Sequence, residues 1–298
     1  MPSPQFQALL DTLRAAPDRS GLAVEVLRVV QAEKAAQVPL PADVTCTPCH
    51  AGSVRGEWIS TPGAASDCVL LYFHGGGYYR GSTATVREMV ARMSRAAGVK
   101  ALSIDYRLAP EHPFPAAVDD AVASYRWLLA QDYAAHNLVV GGDSAGGGLA
   151  VALLVAMRDD GAPLPAAGVC LSPWVDLSQS GTSYTTKAVE DPSISKAYLD
   201  RFATLYLNGA EARTPLASPL FADLHGLPPL LIQVGTAEVL LDDAIQLASR
   251  AQAAGVKVEL DQWEGMPHVW QNNGPDLPEG QEAVLRVGAF IQMVLSAT

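Results

Sequence analysis

From residue 68 onward, short apolar runs alternate with stretches whose apolar residues recur every three or four positions. That alternation is the pattern of a parallel sheet wound with crossover helices. It predicts strands over Cys68–Phe73, Val99–Asp105, Asn137–Gly141, Ala167–Leu171, Leu230–Gly235 and Val256–Trp263. Between them it predicts helices over Thr83–Ala97, Pro115–Ala130, Ala145–Asp159, Val239–Ala254 and Glu279–Ser296. Gly98, Gly161 and Gly255 stand where helix ends need a left-handed residue, in agreement with the periodicity. Upstream, Val44–Cys49 and Val54–Ser60 flank Ala-Gly-Ser and read as an antiparallel hairpin at the sheet edge. Two segments break the alternation: residues 1–42, read as one or two helices, and 178–215, with a helix at Lys196–Asn208. Each is too short to fold alone, and together they are expected to lie as a lid over the carboxyl ends of the strands. The remainder, 43–177 and 216–298, forms one α/β domain with helices on both faces of the sheet.

Composition narrows the function classes. With 298 residues, 49% hydrophobic and 17% charged, the chain can bury a large core. A formal charge of −11 argues against a nucleic-acid partner, which requires clustered lysine and arginine. No run approaches the roughly 18 apolar residues of a membrane span. The N-terminal stretch has acidic residues and no signal-peptide core, so a cytoplasmic protein is expected. Phe6, Leu9, Leu10 and Leu13 form an amphipathic stripe without a strongly basic opposite face, better suited to packing on the chain's own domain than to a membrane surface. The four cysteines are too few for a disulfide scaffold and are expected to be free, mostly buried thiols. Cys46-Thr-Pro-Cys49-His50 matches the spacing of covalent haem attachment, but the segment reads as strand, and neither haem nor metal is expected there.

Chemistry concentrates at three places. Leu138-Val-Val-Gly-Gly-Asp-Ser144-Ala-Gly embeds Gly142, Ser144 and Gly146 between a predicted strand and a predicted helix, as a nucleophile elbow requires. Small residues permit the sharp turn, and the helix N-terminus favours an oxyanion. A phosphate-binding loop would carry Gly-Lys-Ser/Thr, which is absent. His74-Gly75-Gly76-Gly77 follows an early strand, and its glycines can turn backbone N–H groups toward a substrate oxygen. The expected donors are the amides of Gly76, Gly77 and Ala145, with His74 positioning the loop. Only His268 among the histidines follows the last predicted strand, where the base of a Ser–acid–His order belongs. His50, His112, His136 and His225 read as hairpin, turn and exposed-loop residues. The acid falls after Leu230–Gly235: Glu238 lies three residues beyond the strand and is preferred, with Asp242 as the alternative. Asp242 and Asp243 fit a helix's first turn, where its dipole accounts for them.

His-Gly-Gly-Gly at 74–77, Gly-Asp143-Ser-Ala-Gly-Gly at 142–147 and Tyr-Arg-Leu-Ala-Pro-Glu-His-Pro-Phe-Pro-Ala-Ala at 106–117 resemble the hallmarks of the hormone-sensitive lipase family of bacterial and archaeal esterases, over about residues 54–290. The resemblance implies an α/β-hydrolase fold and a serine carboxylesterase acting on small esters, with short acyl chains preferred. It also implies an N-terminal cap and frequent homodimers. That family's acid loop usually reads Asp-Pro-Leu, whereas this chain has Glu238-Val-Leu-Leu-Asp242. The chemistry expected of Ser144, Glu238 and His268 needs no cofactor. An amidase or arylacetamide-deacetylase-like hydrolase, and a non-catalytic small-molecule binding protein of the same fold, are the alternatives. Tyr78, Trp174, Tyr184 and Phe202 are candidate pocket residues.

Overall fold

A computed structural model describes residues 2–17 and 21–297. The chain opens with helices α1 (Pro4–Arg14) and α2 (Val24–Ala36), then strands β1 (Thr45–Ala51), β2 (Val54–Ser60) and β3 (Ala65–Phe73). Helix α3 (Thr83–Ala97), β4 (Val99–Asp105), α4 (Ala116–Ala130), β5 (Leu138–Asp143), α5 (Ala145–Asp159) and β6 (Ala167–Leu171) follow. After β6 come the short α6 (Ser183–Thr186) and α7 (Lys196–Leu207), then β7 (Leu230–Gly235), α8 (Leu241–Ala253), β8 (Val258–Trp263) and α9 (Pro278–Ser296). The strands form one eight-stranded sheet in the order β1-β2-β4-β3-β5-β6-β7-β8. Strand β2 runs antiparallel to both β1 and β4, and every other neighbouring pair is parallel. The elements agree with the sequence reading to within a few residues, including the edge hairpin.

Both faces of the sheet are buried, which is why its central strands read as apolar runs without polar alternation. Alternate residues of one strand serve the two cores: Val69, Leu71 and Phe73 face α4, α5 and α8, while Leu70 and Tyr72 face α3 and α9. Helix α5 is buried along nearly its whole length. The apolar stripe of α1 packs on the chain's own domain, with Phe6 against Met266, Trp270 and Leu277. Glu279 ties down its first turn, accepting from both the backbone N–H and the hydroxyl of Ser3. Residues 18–20 of the N-terminal segment lie outside the described residues.

One expectation is overturned. All four cysteines are free, but only Cys170 is buried, and Cys46, Cys49 and Cys68 are half-exposed. Cys46 and Cys49 sit on β1, a strand with a neighbour on one side only, and that location leaves them partly in water. Among the described residues no cluster of histidine, cysteine or acidic side chains is arranged to hold a metal ion. No helix there is long and apolar enough to cross a membrane.

Candidate active site

The carboxyl ends of β3, β5, β7 and β8 bring the predicted site residues together. Ser144 occupies the turn from β5 into α5 with φ 54° and ψ −121°, a conformation an L-residue holds only where its surroundings enforce it. The enforcement is visible: its N–H donates to Leu171 O at 2.8 Å, and its carbonyl accepts from Gly148 N at 3.1 Å and Trp174 N at 3.0 Å. A side chain on Gly142 would strike the backbone of Gly146, and one on Gly146 would strike that of Phe73. These contacts explain why small residues flank the serine.

The glycine loop after β3 is built from below. Gly75 N donates to Asp143 Oδ1 at 3.0 Å, and the same oxygen accepts from Tyr72 Oη at 3.1 Å. Burial pushes the Asp143 carboxyl up to about 6, against the opposing pull of the Tyr72 and Gly75 hydrogen bonds. Gly76 and Gly77 hold φ 123° and 61°, and Ala145 opens α5, where an amide has no acceptor within its own helix. His74 is fully buried, stacked on Tyr106 at 4.3 Å, with Nδ1 2.8 Å from Gly75 O. Tyr106 Oη in turn donates to His74 O at 2.7 Å, so His74 and its loop are clamped from both sides. Burial holds the His74 imidazole below the ordinary histidine value.

His268 stands in the turn after β8, with Nδ1 2.7 Å from Glu238 Oε2. Glu238 is completely buried, and its other oxygen accepts from Gly235 N at 2.7 Å and Ser172 Oγ at 2.8 Å. Burial alone would lower the His268 pKa. The hydrogen bond and charge of Glu238, with smaller contributions from Asp191 and Asp143, outweigh it and leave the imidazole above the usual 6.5. Ser144, His268 and Gly75–Gly77 line one cavity of about 220 Å³, together with Arg80, Leu199 and Phe202.

Asp242 and Asp243 lie in the first turn of α8, as expected, and both also accept hydrogen bonds from the segment after β6. Asp243 accepts from Val175 N and Asp176 N at 3.0 Å each and from Tyr184 Oη at 2.8 Å, and burial pushes its carboxyl up to about 8. Asp242 accepts from Thr182 Oγ1 at 2.8 Å and Ser183 N at 3.0 Å. Both therefore anchor the segment after β6.

Two contributors were missed. Ser172 follows the end of β6 with φ 45°; it donates to Glu238 and accepts from Val269 N at 3.2 Å, joining the acid to the histidine turn. Asp191 spans the insertion and the acid loop, accepting from Val239 N at 2.9 Å and from Ser193 and Ile194 N–H groups. Position alone signalled Ser172, since residues just past a strand's carboxyl end face the site. Nothing local marks Asp191. Of the candidate pocket residues, Phe202 lines the cavity, whereas Tyr78, Trp174 and Tyr184 are core residues behind it. Their rings are consumed in packing, as in the 3.9 Å stack of Tyr78 on Tyr206.

A family model of the α/β-hydrolase fold matches residues 70–272. The chain is 48% identical over 252 residues to an acetyl-hydrolase of Streptomyces hygroscopicus, covering 85% of this chain and 83% of that one. It is 32% identical over 285 residues to an esterase of Acinetobacter venetianus, covering 95% and 94%. Among solved structures, an esterase of the bacterial hormone-sensitive lipase family superposes with a TM-score of 0.95 at 50% identity, covering 99% of each chain. A mutant of the esterase E40 gives 0.96 at 51%, covering 98% and 99%.

Proposed function

The chain belongs to the hormone-sensitive lipase family of α/β-hydrolase-fold esterases, and on that premise we propose that Ser144, His268 and Glu238 are its catalytic triad. The protein is a carboxylic-ester hydrolase. In this reading His268 Nε2 takes the Ser144 proton and the alkoxide attacks the ester carbonyl. The amides of Gly76, Gly77 and Ala145 hold the resulting oxyanion. Collapse of the tetrahedral intermediate expels the alcohol, protonated by His268, and leaves an acyl-enzyme on Ser144. Water, deprotonated by His268, then releases the acid. Glu238 keeps Nδ1 protonated, so that Nε2 is free to accept, and stabilises the imidazolium when it forms.

The observation that carries the reading is the 2.7 Å contact between His268 Nδ1 and a completely buried Glu238, with His268 and Ser144 facing one cavity. A carboxylate out of water beside an imidazole is costly unless its charge is used. Residues 1–42 and 178–215 serve as the cap over the catalytic domain of 43–177 and 216–298. A cavity of about 220 Å³ suits a short acyl chain. A cytoplasmic location and a homodimer complete the proposal. Ser144→Ala should remove turnover of 4-nitrophenyl butyrate while leaving the melting temperature near that of the native chain. A serine-directed phosphonate should label Ser144 alone. Activity persisting in the alanine variant, or labelling elsewhere, would end this assignment.

A further inference from the structure

The cavity at Ser144 has a larger neighbour of about 490 Å³, walled by α1, α2 and the segment before α7. Leu13, Gln31, Arg80, Ser193 and Ile194 line both, so the two are adjoining chambers of one site. An ester whose short acyl group fills the inner chamber must extend its alcohol portion into the outer one. The chemistry of the outer walls therefore bears on which alcohols are accepted.

Arg80 stands at the junction. Its stem borders Gly76 of the glycine loop, and its guanidinium lies over the Tyr79 ring at 5.3 Å from the centroid. Tyr79 is itself held by the stack on Phe202 at 3.9 Å. An aromatic face fixes the plane of a guanidinium and leaves its edge free for a two-oxygen partner. Eight other arginines, Arg28, Arg87, Arg92, Arg95, Arg107, Arg126, Arg158 and Arg286, are each paired with a carboxylate. Among the described residues Arg80 is in no ion pair, and its Nε is buried without a hydrogen-bond partner. Arg80 as a whole is half-buried and lines both chambers, so an anionic ligand there would meet a cation that has no counter-charge.

The rest of the outer chamber agrees. Lys34 adds a second cation. Asp191, the one acid among the described lining residues, has its oxygens taken up by the amides of Val239, Ser193 and Ile194. Gln31 can turn either end of its amide inward. Arg80 and Lys34 against Asp191 leave the lining one cation in excess, in a chain of net charge −11.

We propose that Arg80 selects esters whose alcohol portion carries an anionic group, a carboxylate or a phosphate, and that Lys34 assists from the outer wall. The inference rests on the reading of Ser144 and its cavity as the reaction site. It makes Arg80 a specificity residue that acts away from the reacting atoms.

The test compares 4-acetoxybenzoate with 4-acetoxybenzamide, which share acyl group and shape and differ in charge. The native enzyme should favour the benzoate in kcat/KM by about tenfold or more, the scale of one hydrogen bond to a charged group. Arg80→Met keeps the stem against Gly76 and removes the charge. It should bring the ratio to about one, through KM rather than kcat, because the lost contact is made equally in ground and transition states. Arg80→Lys should keep part of the preference. Without any variant, 4-hydroxybenzoate should inhibit the native enzyme more strongly than 4-hydroxybenzamide. A native ratio of one or less, a ratio unmoved by Arg80→Met, or equal inhibition by the two phenols would overturn the proposal. Any of these leaves Ser144 as it stands, whereas turnover of both esters by Ser144→Ala would remove the reaction site itself.

Discussion

Replacing Glu238 by glutamine separates the chemistry of the acid from its structural duties. One Glu238 oxygen accepts from Gly235 N and Ser172 Oγ, and the other faces His268 Nδ1. Alanine would strand the first two donors in a completely buried place, at about 1–3 kcal/mol each, so a dead alanine variant could simply be a poorly folded one. Glutamine keeps an oxygen for those donors. They hold it there, which turns its NH₂ toward His268 and obliges Nδ1 to accept. The ring proton then sits on Nε2, where it blocks removal of the Ser144 proton. A tautomer error of this kind costs roughly 10⁴ in kcat in serine proteases, about 5 kcal/mol of transition-state stabilisation. Steady-state kinetics on a short 4-nitrophenyl ester, beside a thermal melt, should show that fall with little change in melting temperature. Asp242→Ala should keep kcat within a few-fold while melting earlier, since it frees Thr182 and Ser183. Glu238→Gln retaining more than a tenth of native kcat, or Asp242→Ala being the inactive variant, would refute the assignment.

In the proposed mechanism His268 must be neutral to act as base, and it sits above 6.5, so kcat/KM should rise with pH through an apparent pKa higher than that of a free histidine. A plateau already reached below pH 6 would contradict this. Asp243 binds its proton more tightly folded than unfolded. Its contribution to stability is complete below the ordinary carboxyl value of 3.8 and is lost as pH rises through about 8. Asp243→Asn should therefore flatten the decline in melting temperature across that window, and an unchanged slope would show that the carboxyl stays ionised throughout. Changing Cys46 and Cys49 together to serine should leave turnover within about twofold, as both lie on an edge strand away from the cavity. A visible absorbance band lost with the pair would speak for a bound group there.

Periodicity made the sheet legible because a strand buried on both faces must be apolar throughout, and a helix covering it must repeat its apolar residues along one stripe. The elbow and the glycine loop were legible because steric exclusion acts locally: Gly142 and Gly146 leave no room for a Cβ, whatever the rest of the chain does. Glu238, preferred over Asp242 for its distance from the strand end, lies 2.7 Å from His268 Nδ1, and the proposal keeps it as the acid. What escaped were residues whose roles depend on partners remote in sequence. Ser172 reaches Glu238 across 66 positions and Val269 across 97, and Asp191 reaches Val239 across 48. Asp242 and Asp243 illustrate the same limit, because a generic explanation at a helix start hid a specific one across the fold. The cysteines were misjudged because residue type was allowed to stand for burial, whereas an edge strand decides exposure by location.

The three carboxylates that stitch the segment after β6 to the acid loop and α8 divide the enzyme unevenly. Asp191, Asp242 and Asp243 bind residues 175–194 to the stretch that carries Glu238, through buried or half-buried hydrogen bonds at several points. Redesign of that insertion would disturb the alignment of the acid at the same time. The N-terminal helices are attached differently: Arg28 bonds Tyr79 O, Ala109 O and Glu111, and Phe6 packs on Met266 and Trp270, which lie two residues either side of His268. Substrate range is thus best varied in α2, whose Gln31 lines the Ser144 cavity and whose Arg28 bonds run to Tyr79, Ala109 and Glu111, while Phe6 of α1 is kept because it supports the turn that carries His268.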